Sequence, residues 1–267
     1  MEMVSASKMR RAQEQALAAR PYTRAIQNSL QKVAQSTDSS LHPLLAKHEE
    51  GKDILVIFST DRGLSGALNP NLFKAAWQWC DAHENFQVIV IGKKAVAFAK
   101  KLGLNVAAQF TDMPEVASVK DILPLANIVS EGFLNKEYKR VSLLHMDFIN
   151  TLSQKVKFTQ LLPLSVEVDE ADQGVVNLEI RSEYTFEPSA AEILNELLPY
   201  YLENTLFQTL LEAKASEHSA RMVAMKNASE NAKELVSELK LIFNKSRQAS
   251  ITNELLDITT ATLTVSQ

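Results

Sequence analysis

Residues 225–249 read MKNASENAKELVSELKLIFNKSRQA, and Met225, Ala228, Ala232, Leu235, Leu239, Ile242, Ser246 and Ala249 step through them by alternating threes and fours. That alternation averages about 3.5 residues per repeat, the period of the seam in a left-handed coiled coil. The stretch lies within a run from Tyr200 to Gln267 that holds neither glycine nor proline. As one helix the run extends on the order of 100 Å at 1.5 Å per residue, whereas an ordinary globular helix has about a dozen residues. A domain of this size cannot bury it. The run is announced by Ser189-Ala190-Ala191-Glu192, a capping box directly after Pro188.

The other end of the chain repeats the pattern. Met9, Ala12, Ala16, Ala19, Thr23, Ile26, Leu30 and Val33 follow the same alternation, and small alanines in such a seam let a partner helix approach closely. Two helical seams at opposite ends predict an antiparallel coiled coil with a compact domain inserted between them. The C-terminal helix is the longer, so its far end must extend past the pair or meet another protein. Its tail, SITNELLDITTATLTVSQ, carries only Glu254 and Asp257 as charges, which suits a snug collar better than open water.

Between the seams the pattern changes. Strands are expected at 53–59, 87–91 and 141–149, with helical stretches at 70–83, 93–102 and 118–135. Asn69 before Pro70 suits a helix start, and Ser118 with Asp121 resembles a second capping box. Apolar strands alternating with helices argue for a parallel sheet with right-handed crossovers. Segments 156–166 and 175–186 look like further strands, paired at the sheet edge. The expected fold is therefore α/β: a long antiparallel coiled coil of the N- and C-terminal helices with an inserted Rossmann-like α/β domain. The divisions fall at 1–37, 38–187 and 188–267.

Composition narrows the function. The 267 residues include only seven glycines and eight prolines, and the net charge is −4. No global attraction to nucleic acid or anionic lipid follows from such a balance. Residues 1–36 do gather six cations (Lys8, Arg10, Arg11, Arg20, Arg24 and Lys32) against Glu2 and Glu14. With Cys80 the lone cysteine, an internal disulfide is impossible and a reducing compartment fits. No secretory signal is evident, and no run approaches the roughly 18–20 apolar residues that span a bilayer.

One loop invites a catalytic reading. STDRGLSGALN, residues 59–69, follows an apolar strand and precedes a helix. A nucleophile elbow needs G-x-S-x-G, but Ser65 is followed by Gly66 and then Ala67. The five histidines are scattered, none is an evident base for Ser65, and His145 reads as a core residue. Neither G-x-G-x-x-G nor G-x-x-x-x-G-K-[ST] occurs, and no spacing of ligands suggests a metal. Gly63 and Gly66 are expected to form a tight strand-to-helix turn, Gly66 permitting close packing, with Asp61 and Arg62 paired locally or to a neighbour. No catalytic, cofactor or metal residue is assigned.

Three segments together resemble the family of γ subunits of F-type ATP synthases: MEMVSASKMRRAQ, STDRGLSGALNPNLF, and ASEHSARMVAMKNASENAKELVSELKLIFNKSRQASITNELLDI. The last is the most specific, through RQASIT at Arg247 to Thr252. The resemblance implies a non-catalytic rotor shaft that couples ion-driven rotation to conformational change at catalytic sites on β subunits. Its implied partners are the α3β3 catalytic hexamer, the ε subunit and the membrane-embedded c-ring. Membrane association would come only through the complex, at the cytoplasmic face of a bacterial plasma membrane.

The family's β-contacting positions fall on Arg247, Gln248 and Thr252, and Arg247 would donate charge-assisted hydrogen bonds to acidic loops of the ring. Met1 would face the ring's lower bearing, with Lys8, Arg10 and Arg11 as neighbours of acidic β loops. The family usually has further residues ahead of the position of Met1, so a start upstream of an internal Met1, or a truncated chain, is expected rather than a genuinely short rotor. Ser65 and Ala67 stand where cysteine and glycine are common, and a single cysteine excludes the regulatory pair of the plastid form. The alternatives are an α/β nucleotide-binding enzyme or an adaptor, each with a coiled-coil assembly helix.

Overall fold

The computed structural model describes residues 2–36, 42–164, 187 and 189–265. Its elements run α1 (Glu2–Ser36), a 3-10 turn (Pro43–Leu45), β1 (Lys52–Phe58), α2 (Leu68–Asp81), β2 (Phe86–Ile91) and α3 (Lys93–Leu102). There follow β3 (Val106–Phe110), α4 (Val119–Leu134), β4 (Tyr138–Phe148), β5 (Gln154–Leu162) and α5 (Ala190–Val265).

The sheet has the order β3-β2-β1-β4-β5. β1 pairs in parallel with β2 and β4, β2 in parallel with β3, and β5 closes the edge antiparallel to β4. This is the doubly wound arrangement, with chain direction across the sheet reversing between β1 and β4. The central strands are covered on both faces and so read as unbroken apolar runs. Leu55, Ile57, Val88, Val90, Leu144 and Met146 face Leu72, Ala76, Ala95 and Ala99 of α2 and α3. Ile54, Val56, Ile89, Val141 and Leu143 belong to the opposite core, with Ile122, Leu125, Val129 and Phe133 of α4 and the inner faces of α1 and α5. Adjacent residues serve opposite cores because strand side chains alternate.

The terminal helices pair antiparallel as expected, but α1 packs on an earlier part of α5 than the seam read at 225–249, whose positions from Ala228 to Ala249 are exposed. Ala12, Ala16, Ile26, Leu30 and Val33 of the α1 seam are buried, as are Leu194, Leu198, Leu202, Leu206, Leu210 and Ala215 of α5. The Tyr22 and Tyr200 hydroxyls meet across the pair, and Asn204 Nδ2 donates to Thr23 Oγ1 at 2.9 Å. α5 has 76 residues, about 110 Å. α1 covers only its first half, and from 230 to 260 every α5 residue is exposed.

Several local expectations change. Asn69 is not a helix cap: α2 begins after Ala67, and the buried Asn69 amide donates to Thr60 Oγ1 at 2.8 Å and Ser65 Oγ at 3.4 Å. The helix starts earlier than expected, so Asn69 lies inside its first turn and its side chain turns back to the loop instead. β3 has no counterpart in the sequence reading, because an edge strand with three of its five residues exposed (VAAQF) lacks an apolar run. The strand expected at 156–166 is β5, starting two residues earlier and ending at Leu162. The one expected at 175–186 lies outside the described residues. Ser118 and Asp121 do make their reciprocal capping box.

Candidate functional site

The loop after β1 sits at the carboxyl edge of the sheet, beside the point where strand order reverses. In open α/β sheets that crevice is where ligands bind. Here α5 fills it. Ser216 Oγ donates to Met146 O at 2.8 Å, near the end of β4, and Arg221 Nε donates to Gly63 O at 3.2 Å, after β1. Arg221 is itself held by Glu217 at 2.5 Å. Burial pushes the Glu217 carboxyl up, against the pull of Arg221.

The polar groups that a phosphate would need are already used. Asp61 Oδ1 accepts from the Lys93 amide at 3.0 Å, and Ser59 Oγ accepts from the Ala95 amide at 2.8 Å, so the first turn of α3 is closed from within. Asp61 is therefore a helix-end acceptor rather than the partner of Arg62. Ser65 is buried and its hydroxyl faces the Asn69 amide. Gly66 has φ +57°, a left-handed conformation that glycine adopts without strain. An added Cβ there would meet the Ala224 side chain at an ordinary 3.9 Å, so the glycine is required by backbone conformation and not by close packing. Gly63 has neither constraint, while Leu64 is left-handed with φ 64°.

A second polar cluster lies where α1, α5 and β4 meet. Arg20 Nε is 3.2 Å from Glu212 Oε1, and its Nη2 donates to Phe148 O at 2.9 Å. Gln208 Nε2 donates to the same Glu212 oxygen at 2.9 Å. His145 Nε2 lies 3.5 Å from the other, Oε2. Burial opposes the charge on Glu212, but His145, Gln208 and Arg20 outweigh it and hold the carboxyl at about 2. Sequence inspection missed this cluster because its members come from three distant segments with no shared motif.

The free half of α5 is the largest unsatisfied feature. Leu235, Leu239, Leu241, Ile242, Phe243, Ile251, Leu255, Leu256 and Ile258 are all about half exposed or more. Arg247, Gln248 and Thr252 lie among them, also exposed, with Thr252 Oγ1 donating to Gln248 O at 2.9 Å. Gln248 and Thr252 share a face one turn apart.

The remaining cations flagged by sequence sit at the start of α1, beside the root of this half. Lys8 Nζ is 2.7 Å from Glu115, Arg10 Nε is 3.0 Å from Glu14, and Arg11 is exposed. Lys8 and Arg11 line a cleft of about 440 Å³ with Met3, Val4, Glu115 and His218. Met1 lies outside the described residues. Arg247, Gln248 and Thr252 are thus separate from Lys8, Arg10 and Arg11, and the glycines of the loop lie with the latter group near Arg221. No helix among the described residues is long and apolar enough to cross a membrane.

The ATP synthase family model matches residues 1–264. The gamma chain of Mannheimia succiniciproducens is 41% identical over 262 residues, spanning 97% of this chain and 90% of its own length. The chain belongs to the ATP synthase gamma chain family. Its Akkermansia muciniphila relative is 42% identical over 266 residues, 98% of this chain and 90% of that one. The fold is shared with a chain from the Tetrahymena thermophila mitochondrial ATP synthase central stalk and c-ring structure (TM-score 0.65, 22% identity, 86% of this chain and 97% of that one). A chain of the Euglena gracilis mitochondrial enzyme gives TM-score 0.59 at 18% identity, over 99% of this chain and 94% of that one.

Proposed function

We propose that this gamma chain is the central rotor shaft of a rotary ATP synthase, non-catalytic itself. In this reading the free half of α5 stands inside the α3β3 hexamer, and the α/β domain forms a foot against the ε subunit and the c-ring. The c-ring turns foot and shaft together, and the asymmetric shaft drives each β site in turn through states of different affinity. The subunit sits peripherally at the cytoplasmic face of a bacterial plasma membrane, associated with it only through the complex.

The observation that carries the proposal is the row of exposed leucine, isoleucine and phenylalanine side chains on α5 between 235 and 258. A patch of that size marks a surface made to be enclosed. The exposed Arg247, Gln248 and Thr252 would supply polar contacts to the enclosing loops, Arg247 to acidic ones. Met1, Lys8, Arg10 and Arg11 would face the lower rim. Lys8 and Arg10 reach it only by sharing or leaving Glu115 and Glu14.

Co-expression with the α3β3 subunits tests the assignment. The expected result is a stable complex whose ATPase activity falls when Arg247 or Gln248 is changed to alanine, while the altered subunit folds and co-purifies. Failure to co-purify under mild conditions would sink the rotor reading. The crevice filled by α5 predicts in addition that the isolated chain does not bind ATP tightly, and saturable binding at the 59–69 loop would favour an enzyme instead.

A further inference from the structure

We propose that His145, Asp147 and Glu212 form a binding site for one divalent transition-metal cation, at the junction of α1, α5 and β4. His145 and Asp147 are two residues apart on β4 and so point to one face of the sheet. Glu212 approaches them from α5. One ligand atom from each lies within 4.8 Å of the others.

Two features aim the cluster at a ligand. Glu212 Oε1 is engaged by Arg20 and Gln208, which fixes the carboxylate and leaves Oε2 turned toward the histidine. This is how an outer partner orients a metal-binding carboxylate. His145 is 2% exposed, yet neither ring nitrogen makes a hydrogen bond of good geometry. A buried imidazole ordinarily has a partner.

The cluster also brings two carboxylates together, and like charges this close need something positive between them. Arg20 neutralises the far side of Glu212, while burial and the Glu212 charge push the Asp147 carboxyl up against the pull of Lys157. A cation on the near side would satisfy Asp147, Glu212 Oε2 and the imidazole at once. One nitrogen and two oxygens suit Zn²⁺ or Mn²⁺, whereas Mg²⁺ prefers an octahedral set of oxygens.

Equilibrium dialysis of the full-length chain against ZnCl₂, followed by metal analysis, tests the site. The expected result is one tightly held zinc per chain, a zinc-dependent rise in Tm, and weak competition by Mg²⁺. His145→Gln and Asp147→Asn should each weaken zinc binding at least tenfold and remove the Tm response. Circular dichroism of the metal-free variants checks that each is folded, and either one alone suffices. No stoichiometric zinc in the wild-type chain, or equal uptake by wild-type and a folded variant, overturns the proposal.

Discussion

The two halves of α5 carry aliphatic side chains at helical spacing and meet opposite fates. Leu198, Leu202 and Leu206 lie against α1 and the sheet and are essentially inaccessible. Leu235, Leu239 and Ile242 continue the pattern forty residues on and stand more than half exposed. Helical periodicity therefore specifies that a face exists, while the cover comes from elsewhere: α1 and the sheet supply it in one half, and no described residue supplies it in the other. The difference also separates two kinds of residue. Those in the paired half hold the chain together, and those in the free half make no such packing contact among the described residues.

The largest expected contrast tests that division directly. Leu206→Ala, at a fully buried position, should lower the unfolding free energy by about 3 kcal/mol, since it opens a cavity as well as losing apolar burial. Leu239→Ala, at 55% exposure, should change it by less than about 0.5 kcal/mol. Urea unfolding of the isolated chain measures both. Equal losses would mean that the free half is covered even without partner subunits, and the comparison would collapse.

A smaller contrast concerns arginines. Arg20→Ala removes the cation beside Glu212 and leaves that largely buried carboxylate with Gln208 and His145 alone. Because Arg20 is itself a third exposed, the expected loss is about 2 kcal/mol, below the value for a fully buried pair. Arg247→Ala should leave the urea midpoint of the isolated chain unchanged and reduce ATPase turnover only in the assembled complex. An Arg247 variant that unfolds early would place that residue with the structural group.

These contrasts also mark what could be read before any coordinates. The α1 seam was legible almost residue by residue because alanine, isoleucine and leucine at 3-4 spacing have only one helical face to share. The doubly wound sheet was legible from β1, β2 and β4, which are buried on both sides. β3 was not, because Val106–Phe110 lies at an edge and needs little apolar content. The loop at 59–69 was rejected as a phosphate site for lack of a motif; the physical reason, a crevice occupied by Ser216, Arg221 and Ala224, joins positions some 150 apart in sequence. The Arg20–Glu212–His145 cluster was invisible for the same reason, since pairing across three elements leaves no local spacing. Arg247, Gln248 and Thr252 are legible through the resemblance alone, because among the described residues their exposed helix face has no partner from another element that could mark them.

The boundary between the two halves should respond to pH. His218 lies on α5 where α1 begins, faced by Lys8, Lys214, Glu115 and Arg221. Burial and the Arg221 charge lower its pKa from 6.5 to about 4, so the folded state binds a proton less readily than the unfolded chain does. The stabilisation is complete above about pH 6.5 and is lost as pH falls toward 4. Between pH 7 and 5 this amounts to at most about 2 kcal/mol. His218→Gln should flatten that part of the profile, measured by urea unfolding at both pH values. An unaltered slope would assign the acid sensitivity to carboxylates and not to this junction.

The weakest expected effect falls on the loop that touches the same junction. Gly66→Ala places a Cβ on a backbone with φ +57°, at a cost of about 1 kcal/mol, even though the space beside Ala224 would admit it. Gly63→Ala has no such strain and no close contact, and should be neutral within about 0.5 kcal/mol. The pair thus separates conformation from packing at a place where sequence alone joined them. Should Gly63→Ala prove the more damaging, the Arg221 hydrogen bond to Gly63 O would be the sensitive element, because a shifted carbonyl would loosen α5 where it leaves its cover. That result would tie the foot to the root of the free helix more tightly than backbone strain at Gly66 does.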